Sequence, residues 1–182
     1  KKTKNTFIGI DYETSATPKA TTADGVPVFC AHDELLAIAK VIPNPKNPNQ
    51  HSDDQIALLG NIIEANGWRQ PITISKRSGF IVKGHGRLAS AIKKGWKEVP
   101  IDWQEYASEA EEWADLIADN RLAELSTIDN TKLIDMIADL DTGEVPVELT
   151  GYTEEDIAAI IAACEGADDT VDDKADAVAP AD

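Results

Sequence analysis

Residues 79–101 read GFIVKGHGRLASAIKKGWKEVPI, and this stretch decides the fold. Phe80-Ile-Val-Lys83 is a short β-rich run, and Gly84-His85-Gly86 breaks it. Arg87 to Lys94 then places Leu88, Ala91 and Ile92 on one helical face, with Gly95 as the stop, and Val99 to Trp103 returns as a strand. Upstream, Pro71-Ile-Thr-Ile-Ser75 joins Phe80 through Lys-Arg-Ser-Gly, a hairpin with Gly79 in its turn. Ser52 with Gln55 is a capping box opening a helix over 53–66, with Ile56, Leu59, Ile62 and Ile63 on one face and Gly67 as its end. Ahead of it, Val41 to Gln50 is too rich in proline for a helix or a central strand and reads as an ordered loop or turn. Downstream, Ser108 with Glu111 opens a helix through Glu124 whose expected buried stripe is Trp113, Leu116 and Ile117. Two more helices follow near 130–140 and 153–164. The pattern is that of a small α+β domain, sheet first and helices last.

The chain has 182 residues, 17 basic and 33 acidic, for a net charge of −16. No apolar run approaches the roughly 18 residues of a membrane span, so a soluble protein of a reducing cytoplasm is expected. Cys30 and Cys164 stand apart, with no metal-site or disulfide spacing. Residues 1–25 show no hydrophobic periodicity and read as a tail, and the acidic, low-complexity stretch from Glu165 reads as a linker. A first residue other than Met suggests a piece of something longer. The charge is unevenly spread: residues 1–101 carry 14 basic and 9 acidic side chains, residues 102–182 carry 3 and 24. Within 68–101 eight cations face one acid, Glu98, and this net +7 marks where an anion would be attracted.

Three constellations can carry chemistry. At Gly84-His85-Gly86-Arg87 a helix N-terminus offers free N–H groups and the positive end of its dipole, while glycine lets a phosphate approach the backbone. Lys83 and Arg87 bracket it, although cations are unfavourable there by about 0.3–1 kcal/mol unless an anion is present. A plain turn using glycine for φ > 0 gives the same letters. In the 109–124 helix, Asn120 projects from the expected apolar stripe, where it either caps a neighbouring loop or joins Asp119 in holding a hydrated divalent ion. The asparagines of the proline loop, Asn44, Asn47 and Asn49, either turn the chain or reach a base edge. His32 and His51 have no partner pattern. There is no Gly-x-Ser-x-Gly, Walker loop or HExxH.

Taken in order, PNPKNPNQHS, an amphipathic helix, GWRQPITIS, GFIVKGHGRLASAIKKGWKEVPI and IADNRLAEL resemble the N-terminal domain of the ParB family, which shares its fold with sulfiredoxin. The resemblance spans about Leu36 to Leu125. The Gly-His-Gly-Arg and Ala-Asp-Asn-Arg-Leu-Ala-Glu-Leu variants are similar to ParB-like domains of phage and prophage proteins, often placed ahead of a DNA methyltransferase. It implies a ParB/sulfiredoxin-like α+β domain with a short mixed sheet over 26–125, a helical extension over 126–164 and an acidic linker over 165–182. It further implies a nucleotide, CTP, with Mg²⁺: Lys83, Gly84, His85, Gly86 and Arg87 on the phosphates, Asn44, Asn47 and Asn49 towards the base, Asp119 and Asn120 on the ion. Partners would be nucleotide or DNA through residues 68–101, and a homodimer is compatible.

The sequence departs from the ParB pattern, where Gly-Glu-Arg-Arg stands for Gly-His-Gly-Arg and arginines stand at Asn49 and Ala123. His85 holds the place of sulfiredoxin's cysteine, which leaves no thiolate for that chemistry. Residues 102–164, with 17 acids and 2 bases, do not suit the basic DNA-gripping region that follows in ParB proteins. The expectation is therefore an accessory domain that binds nucleotide or DNA, the N-terminal module of a phage or prophage DNA-modifying protein in a bacterial cytoplasm. A Mg²⁺-dependent nuclease or a nucleotide-using phosphotransferase is the enzyme alternative, and an acidic scaffold for a basic partner is a third.

Overall fold

The computed structural model describes residues 3–7, 10–14, 17–140 and 146–168. The chain divides into two compact units, Lys1–Ser126 and Thr127–Asp182.

The first unit is built on a four-stranded mixed sheet. Its strands are β5 (Glu34–Ala37), β8 (Glu98–Gln104), β6 (Ile72–Ser75) and β7 (Ile81–Lys83), lying side by side in that order. β8 runs antiparallel to β5 and parallel to β6, with Ile72 opposite Ile101, while β6 and β7 form the expected antiparallel hairpin. Helix α1 (Asp53–Asn66) starts where its capping box predicts, Ser52 Oγ accepting the Gln55 N–H at 3.1 Å. Helix α2 (His85–Lys94) packs against α1. Gly60 gives the close approach, since a Cβ there would stand 3.1 Å from the Lys94 side chain, and Ser90 Oγ donates to Ile56 O at 2.8 Å.

Ile72 and Ile74 of β6, Ile81 of β7, Val99 and Ile101 of β8 and Leu88 and Ala91 of α2 are buried around Trp68, which is wholly inside. Trp68 meets Trp96 edge to face, ring centroids 5.7 Å apart. Helix α3 (Glu109–Leu125) lies against β7.

The boundaries and the faces differ in places from the sequence reading. α2 begins at His85 rather than Arg87, because Gly84 alone adopts the left-handed conformation, at φ 97°, and caps the helix. Ile92 is 58% exposed, since Leu88, Ser90 and Ala91 form the buried side of α2. Ile117 is also exposed, at 57%: the inward face of α3 runs through Glu112 and Leu116, and a carboxylate takes the place where an apolar side chain was expected. β5 was not foreseen. Residues 1–25, read as a tail, hold β1 (Thr3–Phe7), which pairs antiparallel with β2 (Ile10–Thr14), and β3 (Ala20–Thr21), which pairs with β4 (Pro27–Val28) just beyond them. Backbone ladders of this kind need no apolar periodicity, so the pattern gave no signal for them.

In the second unit, α4 (Asn130–Leu140) and α5 (Glu154–Asp168) pack together, with Ile137 and Leu149 buried. Asp129 Oδ1 accepts the Lys132 N–H at 3.2 Å and starts α4. Thr153 and Asp156 cap α5 reciprocally, at 2.9 and 3.1 Å. α5 runs through Asp168, past the expected start of the linker at 165, and residues 169–182 lie outside the described residues. Among the described residues no helix is long and apolar enough to cross a membrane.

Candidate functional site

The candidate site lies where β7 passes into α2. With Gly84 as the cap, the first intrahelical bond is Leu88 N–H to Gly84 O at 3.0 Å, and no side chain caps the helix. The N–H groups of His85, Gly86 and Arg87 therefore have no intrahelical acceptor, and the positive end of the dipole is open. A cleft of about 160 Å³ opens in front of them.

Nine of the ten residues expected at the site line this one cleft. Lys83, Gly84, His85, Gly86 and Arg87 form the turn, Asn47 and Asn49 come from the proline loop, and Asp119 and Asn120 come from α3. Asn44 does not line it. Asn44 is buried, its Oδ1 accepting the Lys46 N–H at 2.9 Å and its carbonyl the Asn47 N–H at 3.1 Å, so it shapes the loop instead of meeting a base. Its own N–H donates to His85 Nε2 at 3.2 Å and ties the loop to the turn. The loop alternates: 47, 49 and 51 face the cleft, while 44, 46 and 48 face Trp113, over whose ring Lys46 Nζ sits at 3.9 Å.

The charges of the cleft are largely spoken for. Lys83 Nζ is 2.9 Å from Asp115 Oδ1 and 3.9 Å from Asp119 Oδ1. Burial pushes the Asp115 carboxyl up, but the bonds from Lys83 and Tyr106 outweigh it and leave it below the ordinary carboxylate value. Arg87 Nη1 donates to Gln70 Oε1 at 2.7 Å, and its Nε is buried with no hydrogen-bond partner. The guanidinium folds back over its own cap, where a Cβ on Gly84 would stand 2.9 Å from Nη2. Burial lowers the Arg87 pKa, and the charges of Asp119 and Cys30 oppose the shift. His85 is driven down to about 4, first by burial and then by the nearby His51, so it is uncharged at neutral pH.

Asn120 Nδ2 donates to Leu116 O at 3.1 Å, and Asn120 and Asp119 both line the cleft. That pair suits a hard, oxygen-seeking cation such as Mg²⁺ only when phosphate oxygens complete the shell. Among the described residues no three His, Cys, Asp or Glu side chains come together as a metal-binding group.

The local charge of residues 68–101 requires correction. Five of its eight cations are ion-paired with carboxylates from elsewhere: Lys76 with Glu105 (3.0 Å), Arg77 with Glu112 (3.2 Å), Lys83 with Asp115 (2.9 Å), Lys93 with Asp53 (3.8 Å) and Lys94 with Glu64 (2.7 Å). Arg69 lies over the Phe29 ring. Folding brings α1 and α3 acids onto the segment, so its net charge along the chain does not survive as a free basic surface.

Two residues escaped the sequence reading. Glu112 is 1% exposed and bonds Ser75, Ser78 and Arg77, and the signal for it was its place four residues before Leu116 on the inward face. His51 lines the cleft beside Gly86, and its spacing of four from Gln55 was a legible pairing.

Residues 26–134 match the ParB N-terminal domain family. The ParB-like nuclease domain-containing protein YnaK of Escherichia coli (strain K12) is 33% identical over 64 residues, 35% of this chain and 72% of that protein. Among solved structures, the C-terminally truncated chromosome-partitioning protein ParB from Caulobacter crescentus, complexed with CTP-gamma-S, is similar in fold. It has a TM-score of 0.50 and 24% identity over 70% of this chain and 69% of that one. The same bacterium's truncated ParB complexed to the centromeric parS site gives a TM-score of 0.42 and 20% identity, over 71% and 65% of the two chains.

Proposed function

Because the chain belongs to the ParB N-terminal domain family, we propose that the cleft in front of Gly84 is a nucleotide-phosphate site and that the domain acts as a binding module. The observation that carries this reading is convergence. The proline loop, the glycine turn and the middle of α3 are far apart in sequence, yet they meet at the open N-terminus of α2. Backbone N–H groups and a helix dipole there bind phosphate oxygens without further help. CTP is the nucleotide of this reading, after the CTP-gamma-S held by the Caulobacter crescentus protein.

Lys83 and Arg87 are offset by Asp115 and Asp119, so these four groups bring no net charge to a polyphosphate. A Mg²⁺ ion held by Asp119 and Asn120 Oδ1 would supply the missing positive charge beside the phosphates. The protein's own part is to orient: α2 presents the N–H groups, Arg87 flanks them, and Asn47 and Asn49 line the cleft from the proline loop.

Duplex DNA is a poorer fit to residues 68–101, since phosphate contacts need free cations and five of eight are paired. A two-metal nuclease needs clustered acids, and the described residues bring no such group together. In the wider protein we place this domain as the N-terminal module of a phage or prophage DNA-modifying enzyme, which a methyltransferase motif further along the parent gene would support.

Calorimetric titration of the full chain with CTP, with and without Mg²⁺, tests the site. Binding is expected with Mg²⁺ and is weaker by on the order of tenfold when the ion is chelated, the equivalent of about 1.4 kcal/mol of uncompensated charge. Equal affinity in both conditions removes Asp119 and Asn120 as ion holders. No binding in either removes the reading.

A further inference from the structure

His51 is a polar cleft residue to which the nucleotide reading gives no role. It stands just ahead of the N-cap Ser52 of α1, and its Nδ1 lies 3.1 Å from Gln55 Oε1 in the first turn. A carboxamide oxygen only accepts, so Nδ1 carries the proton in that contact. The Nε2 end of the ring packs on Gly86, where a Cβ would stand 3.2 Å from both Cε1 and Nε2. Gly86 has ordinary helical backbone without positive φ, so turn geometry does not account for this glycine. The imidazole accounts for it: a side chain at 86 would displace the ring from the first turn of α2.

The ring thus packs on the first turn of α2 and lines the cleft there. The charged groups around it bring no net charge to an anion. His85 of α2 is uncharged and already accepts the Asn44 N–H through Nε2. Lys83 of β7 and Arg87 of α2, the latter bonded to the neutral Gln70, are balanced by Asp115 and Asp119 of α3. Asp53 and Asp54, exposed in the first turn of α1, add only negative charge.

We propose that His51 is a proton-coupled phosphate ligand: as a phosphate settles on the N-terminus of α2, Nε2 takes a proton from solvent and donates it in a hydrogen bond to a phosphate oxygen, while Nδ1–H stays on Gln55. One proton is gained by the protein and no bond of the phosphate is broken. The proposal rests on the cleft being the phosphate site argued above.

The test uses the full chain and two probes, CTP with Mg²⁺ and inorganic phosphate. Calorimetry in two buffers of different ionisation enthalpy reads the protons taken up with CTP, and titrations from about pH 6 to about pH 8 read the slope of affinity, pH values that bracket imidazole chemistry. Affinity of the wild-type protein falls with rising pH, by up to about tenfold per unit where the proton is taken up. His51→Gln, neutral and still polar, binds about tenfold more weakly at the acid end and takes up fewer protons, with a flatter slope. The nucleotide's own titration is common to both proteins, so the difference between them isolates His51. Equal proton uptake and equal slopes overturn the proposal. If CTP does not bind at all, the nucleotide reading falls and inorganic phosphate decides the role of His51. Imidazole ¹⁵N resonances of His51 that move on titration keep it as a phosphate ligand, and resonances that stay still overturn it.

Discussion

Glu112→Ala is expected to lower the stability of the first unit by about 2–3 kcal/mol, the cost of leaving buried donors without their acceptor. The carboxylate is 1% exposed and holds three groups at once. Oε2 accepts from Ser75 Oγ at 2.6 Å and from Arg77 Nε at 3.2 Å, and Oε1 accepts from Ser78 Oγ at 2.7 Å. Ser75 is itself wholly buried, and its Oγ accepts the N–H groups of Arg77 and Ser78, so the carboxylate anchors the whole β6–β7 turn to α3. Alanine leaves the buried Ser75 hydroxyl and the half-buried Ser78 hydroxyl without their acceptor, while the exposed Arg77 turns to water. Glu112→Gln keeps an acceptor and is expected to cost about 1–2 kcal/mol. Urea unfolding followed by tryptophan fluorescence reads the change, because Trp68, Trp96, Trp103 and Trp113 all belong to the first unit. An unchanged midpoint for Glu112→Ala would show that α3 is held by its apolar contacts alone.

Under the proposed function, Arg87→Ala is expected to weaken CTP binding by on the order of a hundredfold, roughly 2.7 kcal/mol, the loss of a charge-assisted contact at a desolvated position. Arg87 is the cation of the turn with no carboxylate in hydrogen-bond contact, and its buried Nε has no partner until a ligand brings one. The variant itself remains folded, since the side chain gives up one bond to Gln70 and one unsatisfied nitrogen. Arg87→Lys retains charge but not the planar fork, and an intermediate loss of about tenfold is expected. Isothermal titration of the two variants decides the matter: wild-type affinity in Arg87→Ala places the phosphates elsewhere.

The local elements were legible because each has a local cause. Ser52 with Gln55 fixes the start of α1, Gly95 the end of α2, and the proline spacing of 43–48 rules out regular structure. The convergence of the glycine turn, the proline loop and the Asp119-Asn120 pair was read from an ordered series of motifs, and nine of the ten residues do line one cleft. What could not be read is what folding adds across distance. The eight cations of 68–101 looked free because their partners, Asp53, Glu64, Glu105, Glu112 and Asp115, lie outside the segment. Asn44 looked like a sibling of Asn47 and Asn49, but alternation along the loop turns it inward. Gly86 looked like a second turn glycine, whereas the structure gives it a packing role beneath His51. Charge and glycine counts are sums along a chain, and pairing is a property of space.

The proposed binding of phosphate on the open N-terminus of α2 is reported most directly by the backbone amides of that turn. In ¹H–¹⁵N spectra of the labelled protein titrated with CTP and Mg²⁺, the amides of His85, Gly86 and Arg87 should show the largest shifts, with those of Asn47, Asn49 and Asp119 following. Saturable shifts confined to other parts of the domain, with these three amides unmoved, would contradict it.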